Sequence, residues 1–111
     1  MEVKREECEI SYTDGEIVVQ GTMRLFGAEN YKEIENVFTH AVEDRLATLV
    51  LDITKLRFLN SSGINVFFKF LIALKKQGHT QLTIKGTDEF FWQKKTLLNF
   101  QKILPTTQLV I

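Results

Sequence analysis

The stretch Leu46-Ala47-Thr48-Leu49-Val50-Leu51-Asp52-Ile53 decides the fold of this chain, because it is a nearly continuous run of apolar residues. Such a run is typical of a central strand that is covered on both faces. After one short connection follows Leu59-Asn60-Ser61-Ser62-Gly63, in which Asn60 is a good helix N-cap. Apolar residues then recur at helical spacing as far as Gly78. The sequence therefore predicts a buried strand that leads through a polar turn into an amphipathic helix.

The segments on either side of this strand and helix predict an α/β fold. Upstream, two β-prone runs flank Thr13-Asp14-Gly15, and Asp-Gly is a strong signal for a tight antiparallel hairpin. Apolar residues at helical spacing follow from Tyr31 to Val42. Downstream, Gln81–Ile84 predicts a strand parallel to the central one, because a strand, helix, strand succession forms a crossover.

The last part of the chain adds a helix from Asp88 to about Leu104, which Pro105 ends, and a final strand at Leu109-Val110-Ile111. We therefore predict a small mixed sheet of about five strands, with an antiparallel opening hairpin, parallel βαβ crossovers and helices packed on the sheet. No linker or repeat interrupts the sequence, so residues 1–111 are predicted to form a single domain.

Composition and charge limit the classes of partner. Fourteen Lys and Arg residues balance fourteen Asp and Glu residues, so no general attraction to nucleic acid or to an anionic membrane is expected. The longest apolar stretch is interrupted by Asn65 and Lys69 and falls short of the roughly 18 residues that suggest a membrane span. The start, Met1–Glu7, has mixed charge and no secretory signal. We expect a cytoplasmic protein without membrane insertion.

Residues that would indicate catalysis or metal binding are sparse. His40 and His79 stand in no metal-ligand spacing and are interpreted as surface residues. Cys8 is alone and is interpreted as a small buried residue. Gly21 and Gly27 match neither phosphate-loop spacing. No metal site and no cofactor are predicted, and the chain is not expected to be an enzyme.

The turn at Asn60 is the strongest candidate functional site, because open α/β folds place ligand and partner sites at the carboxyl end of the sheet. Ser61 and Ser62 would lie in the first helical turn, where backbone N–H groups lack partners and the helix end is partly positive. A phosphate on Ser61 would add about −1.5 to −2 charges there. By composition alone, however, ordinary helix capping is the simpler interpretation.

Through Leu49–Ile53 and Phe58–Ile64 the sequence resembles the STAS family, the sulfate transporter and anti-sigma factor antagonist domains. The resemblance covers nearly the whole chain and implies the same order of elements. In antagonist-type members, an anti-sigma factor that is also a serine kinase phosphorylates the first serine of an Asp-Ser-Ser-Gly turn, and a phosphatase restores binding. The resemblance thus implies a regulatory protein-binding module whose partners are an anti-sigma factor-like serine kinase and a serine phosphatase.

On this chain the resemblance makes Ser61 the candidate phosphoacceptor. The residues expected at the turn or in partner binding are Asn60, Ser62, Gly63, Asp52 and Thr54. Asn60 stands where the family has Asp, which keeps a capping oxygen but removes a negative charge. The alternative is a ligand-sensing domain that holds a nucleotide or small anion near Asn60 without phosphorylation. A Ser61 nucleophile is disfavoured, because the G-x-S-x-G elbow is missing.

Three consecutive aromatic residues, Phe90-Phe91-Trp92, fall at the start of the predicted third helix. They cannot all face one core, so at least one is expected to be partly exposed. Packing under the helix is the simpler interpretation, and a partner contact or a homodimer surface stays open.

Overall fold

The computed structural model describes the backbone of residues 1–111 and every side chain except that of Ala28. One six-stranded sheet has the order β1-β2-β3-β4-β5-β6. Its strands are β1 (Glu2–Lys4), β2 (Cys8–Thr13), β3 (Glu16–Met23), β4 (Thr48–Leu59), β5 (Gln81–Lys85) and β6 (Gln108–Val110). The helices are α1 (Lys32–Glu43), α2 (Ser61–Gln77) and α3 (Gln93–Ile103), with a short 3-10 helix, Ala28–Tyr31, before α1.

The predicted mixed sheet is confirmed, and it has one more strand than expected. The first three strands are antiparallel, and β3 to β6 run parallel to one another. Asp14 and Gly15 have φ values of 50° and 76°, as the predicted tight hairpin requires. The additional strand β1 pairs Val3 with Ile10. Its three residues of mixed polarity form no alternating pattern long enough to indicate a strand.

The central strand β4 is longer than predicted and is covered by helices on one face only. Leu49, Leu51 and Ile53 are at most 1% exposed, whereas Val50 and Asp52 between them are half-buried. The prediction of two covered faces is therefore wrong. The run looks continuous in sequence because the apolar Val50 lies on the other side of the sheet, which we call the open face.

The core joins the three helices to the covered face. The ring of Phe67 on α2 stacks on that of Phe100 on α3, with centroids 5.6 Å apart, and Phe38 on α1 meets Phe67 edge-on at 5.3 Å. Such aromatic pairs contribute about 0.5–1.5 kcal/mol beyond their buried area. Gly78, with a φ of 71°, ends α2 as predicted. The core thus fixes the direction in which α2 leaves the sheet.

The third helix begins at Gln93 and not at Asp88, so this part of the prediction is wrong. Residues 88–92 form bends and turns. The physical reason is the Gln93 side chain, which is fully buried and hydrogen-bonded to β4. Because Gln93 must face the sheet, the preceding aromatic residues 90–92 lie in a turn ahead of the helix.

Tyr12 gives the fold a measurable pH dependence. Its hydroxyl donates a hydrogen bond to Asp44 Oδ2 at 2.6 Å. Burial, followed by this bond and the charge of Asp44, raises the pKa of Tyr12 to about 12. An unfolded tyrosine loses its proton near pH ~10. The folded state therefore keeps a proton that the unfolded state loses, and stability declines as the pH rises from about 10 to 12.

The melting temperature should fall as the pH rises from about 9 to 12, and we expect a smaller fall for Tyr12→Phe, because this variant lacks the ionisation. Thermal unfolding followed by circular dichroism at a series of pH values measures the slope. Equal slopes for the variant and the unchanged protein would contradict the assignment of Tyr12.

Candidate functional site

Asn60 is the residue that connects the end of β4 to the start of α2. Its backbone is extended, with φ −83° and ψ 178°, and its side-chain Oδ1 accepts a hydrogen bond from the backbone N–H of Gly63 at 2.9 Å. Its own carbonyl accepts the N–H of Ile64. The predicted N-cap geometry is thus confirmed, and no flexible connection separates the central strand from the helix.

The Asn60 amide also ties two other segments to the turn. Its Oδ1 accepts a second hydrogen bond, 3.1 Å long, from the hydroxyl of Tyr31, and its Nδ2 donates to the carbonyl of Leu25 at 2.9 Å. A carboxylate accepts hydrogen bonds but cannot donate one. Only an amide can accept the hydrogen bond from Tyr31 and also donate one to the carbonyl of Leu25. This is a structural reason for Asn where the family has Asp.

Tyr31 is a member of this network that sequence reasoning missed. In sequence it is only an apolar position of the predicted first helix, yet its side chain is fully buried and its hydroxyl donates to Asn60. Burial raises the pKa of Tyr31, with a smaller opposing effect from the backbone of Leu25. The hydroxyl therefore stays protonated at neutral pH and serves as a donor. No sequence signal separates such a tyrosine from an ordinary core aromatic.

Gly63 allows the Leu59 side chain to pack closely against the start of α2. A Cβ at this position would lie 2.4 Å from Leu59 Cδ1 and 3.4 Å from both Asn60 Oδ1 and the Tyr31 hydroxyl. A glycine inside a helix costs roughly 0.5–1 kcal/mol relative to alanine. An alanine at position 63 would therefore require the end of the Leu59 side chain to move, while its contacts with Asn60 and Tyr31 would be ordinary.

Ser61 and Ser62 stand outside this network. Ser61 is exposed and Ser62 is half-buried. No side chain that the structure describes forms a hydrogen bond with either hydroxyl. The first turn of α2 carries no acidic residue. Ser61 therefore presents a free hydroxyl from a backbone that Asn60 holds in place.

Asp52 and Thr54 lie on β4 rather than at the turn. Asp52 Oδ1 accepts hydrogen bonds from the backbone N–H of Thr54 at 2.9 Å and from its hydroxyl at 2.7 Å. The pairing of β3 with β4 shifts register directly after Asp52. The carboxylate thus stabilises an irregularity of the strand, and the structure shows no hydrogen bond from this pair to Asn60 or Ser61.

Gln93 is the second residue that sequence reasoning missed. Its Nε2 donates to the carbonyls of Ile53 and Leu56, at 2.7 and 3.0 Å, and its Oε1 accepts the N–H of Thr87 at 2.9 Å. The two carbonyls flank the irregular part of β4. Gln93 therefore fixes the section of strand that leads to the turn.

The other candidate residues lie away from this site. His40 and His79 are exposed, and Cys8 is buried, which raises the pKa of its thiol. Within the part of the chain that the structure describes, no group of three or more His, Cys, Asp or Glu side chains could hold a metal ion. No described helix is both long and apolar enough to cross a membrane.

The chain is a small α/β domain with a mixed sheet and helices on one face. The helix after its central strand begins at an exposed serine. The family model of the STAS domain matches residues 9–110. The chain belongs to the STAS domain family. Among curated proteins, no sequence matches it significantly.

Solved structures share the fold at low sequence identity. SiaC of Pseudomonas aeruginosa superposes with a TM-score of 0.74 and 16% identity, over 100% of this chain and 95% of SiaC. The Bacillus cell fate determinant SpoIIAA in its phosphorylated form gives 0.59 and 13%, over 94% and 91%. The anti-sigma factor antagonist SpoIIAA in its unphosphorylated form gives 0.54 and 14%, over 94% and 88%.

Proposed function

We propose that this protein is a regulatory protein-binding module of the anti-sigma factor antagonist type, switched by phosphorylation of Ser61. Its partners are a serine kinase that resembles an anti-sigma factor and a serine phosphatase. The observation that carries the proposal is the exposed Ser61 hydroxyl on the first residue of α2. The fold it shares with SpoIIAA, a protein known in phosphorylated and unphosphorylated forms, supports it. In this proposal residues 1–111 act as one domain in the cytoplasm.

The turn is suited electrostatically to a switch. A phosphate on Ser61 would lie at the partly positive end of α2, where backbone N–H groups of the first turn lack helical acceptors. Asn60 is neutral, so phosphorylation changes the local charge from about zero to −1.5 or −2. A close-fitting partner surface that carries carboxylates would be repelled, whereas the Asn60 network would keep the backbone unchanged.

Phosphopeptide mass spectrometry tests this function on protein isolated from its native cells or incubated with a candidate serine kinase. We expect phosphate on Ser61, none on the Ser61→Ala variant, and unchanged modification of Ser61 in Ser62→Ala, the matched control. A turn that is never modified would count against the proposal, and modification of Ser62 alone would move the switch to that residue.

We expect Ser61→Asp to weaken the complex with the kinase while changing the free energy of unfolding by less than about 1 kcal/mol, because an acidic residue in the first helical turn is tolerated. Calorimetric titration measures binding, and urea denaturation measures stability. Loss of folding in this variant would point to a structural role for Ser61.

Ligand sensing stays the alternative function. A small depression of about 240 Å³ beside the turn is lined in part by Tyr31, Ser62 and Asn65. Calorimetric titration with nucleotides tests whether a small anion binds there, and saturable binding lost in Ser62→Leu would favour this alternative over the phosphoswitch.

A further inference from the structure

A shallow depression opens at the carboxyl end of β3 and β4, on the open face of the sheet. It has a volume of about 620 Å³, and its walls include Gly21, Thr54 and Phe90. None of the serines of the turn lines it. The depression is therefore a surface separate from the candidate phosphorylation site.

One wall of the depression depends on a glycine. Gly21 has a φ of 94°, and a Cβ there would lie 2.2 Å from the carbonyl oxygen of Glu7. This close approach lets the backbone N–H of Thr22 donate to the Glu7 carbonyl at 2.8 Å. The segment between β1 and β2 is thereby held against β3, and Glu7 becomes part of the rim.

The rim carries both signs of charge. Glu7 and Glu89 line it together with Lys55 and Arg57, and all four residues are exposed. Within the described part of the chain, none of the four forms an ion pair closer than 4.0 Å. Two carboxylates and two cations thus stand at one depression without neutralising each other directly.

A fully exposed aromatic residue directly follows the lining of this depression in sequence. Phe91 is 101% exposed and follows Phe90 of the lining. The segment is held in place because Trp92 Nε1 donates to the carbonyl of Arg57 at 2.8 Å, and Gln93 is anchored to β4. An aromatic side chain buries roughly 150–250 Å² when it is covered. Phe91 is therefore a preorganised apolar projection with no cover in the single chain.

We infer that this surface binds a second copy of the same chain. Contacts in a two-fold dimer are reciprocal, so the interface must complement itself. The rim offers both signs of charge. In the proposed dimer Lys55 and Arg57 of one copy face Glu7 and Glu89 of its partner, and Phe91 of each copy is covered by the other. A partner of single charge, or an anionic membrane, would meet like charge at half of the rim. The inference stands independently of phosphorylation at Ser61.

Sedimentation velocity of the full chain at increasing concentration tests the dimer. We expect a reversible monomer–dimer equilibrium, and Phe91→Ser should weaken association by about tenfold or more, as for a central aromatic contact. The matched control is Leu98→Ser, which removes another exposed apolar side chain, 50% exposed, from the outer side of α3. The control should associate as the unchanged protein does.

Charge reversal makes the test specific to this surface. One variant carries Lys55→Glu and Arg57→Glu, and the other carries Glu7→Lys and Glu89→Lys. Each alone should remain monomeric through like-charge repulsion, and an equimolar mixture should form a mixed dimer. Melting curves and circular dichroism establish that each variant is folded.

Three results would overturn the inference. They are an unchanged protein that stays monomeric up to about 1 mM, equal effects of Phe91→Ser and Leu98→Ser, and folded charge variants that fail to associate when mixed. Binding of the monomer to vesicles of anionic phospholipid, lost in Phe91→Ser, would assign the surface to membranes instead. Ser61→Asp should leave the dimer intact, so failure of one proposal does not decide the other.

Discussion

Replacing Asn60 with aspartate should lower the free energy of unfolding by about 1–3 kcal/mol at neutral pH, although aspartate is itself a good N-cap. The variant keeps an acceptor for the N–H of Gly63 and for the hydroxyl of Tyr31. It loses the Nδ2 donor and sets a carboxylate oxygen against the carbonyl of Leu25, which Asn60 contacts at 2.9 Å. Urea denaturation of Asn60→Asp at pH 7 measures the loss.

The matched control for this prediction is Ser61→Asp, which adds the same charge at the neighbouring position and breaks no hydrogen bond of the Asn60 network. We expect the control to be close to the unchanged protein, so the difference between the two variants reports the Leu25 contact. Lowering the pH until the introduced carboxyl of Asn60→Asp binds a proton should recover part of the loss, because a protonated carboxyl can donate. Equal stability of the two variants at pH 7 would show that the amide donor contributes nothing.

The comparison of Asn with Asp shows which part of the site sequence alone could predict. The N-cap at Asn60 and the start of α2 were predictable, because capping is a local interaction over a few residues. The hydrogen bonds to Leu25 and Tyr31 span 35 and 29 residues of chain. A contact of that kind depends on how the segment after β3 is placed on the sheet, and no periodicity encodes it.

The missed part of β4 has a different physical cause. The pattern of alternating exposure fails beyond Ile53, because the register with β3 shifts between Asp52 and Lys55 and again between Leu56 and Phe58. Each shift inserts a residue into one strand, so side chains no longer alternate with a period of two. Leu56 is fully buried between two exposed basic residues. In sequence this segment therefore looks like a connection, although it is strand.

The irregular part of β4 requires hydrogen-bond partners from elsewhere, and Gln93 supplies them. Gln93→Leu should lower the free energy of unfolding by on the order of 2–4 kcal/mol, because it leaves buried backbone groups without partners. The groups affected are the buried carbonyls of Ile53 and Leu56 and the partly buried N–H of Thr87. Leucine fills a similar volume, so the loss reports mainly on these three bonds. Urea denaturation measures it.

Gln101→Leu is the matched control for Gln93→Leu. Its side chain is half-buried and makes a single hydrogen bond, 3.0 Å long, to the carbonyl of Thr107. We expect a loss of about 0.5–1.5 kcal/mol for this control. Amide hydrogen exchange adds a local readout, since Gln93→Leu should open residues 54–57 more than residues 49–51 if Gln93 fixes the irregular segment. A uniform increase along β4, or a loss no larger than the control's, would contradict that role. Lys55 and Arg57 belong to this segment. A folded Gln93→Leu variant should therefore also disturb the depression on the open face, and it should do so more than it disturbs the N-cap of α2.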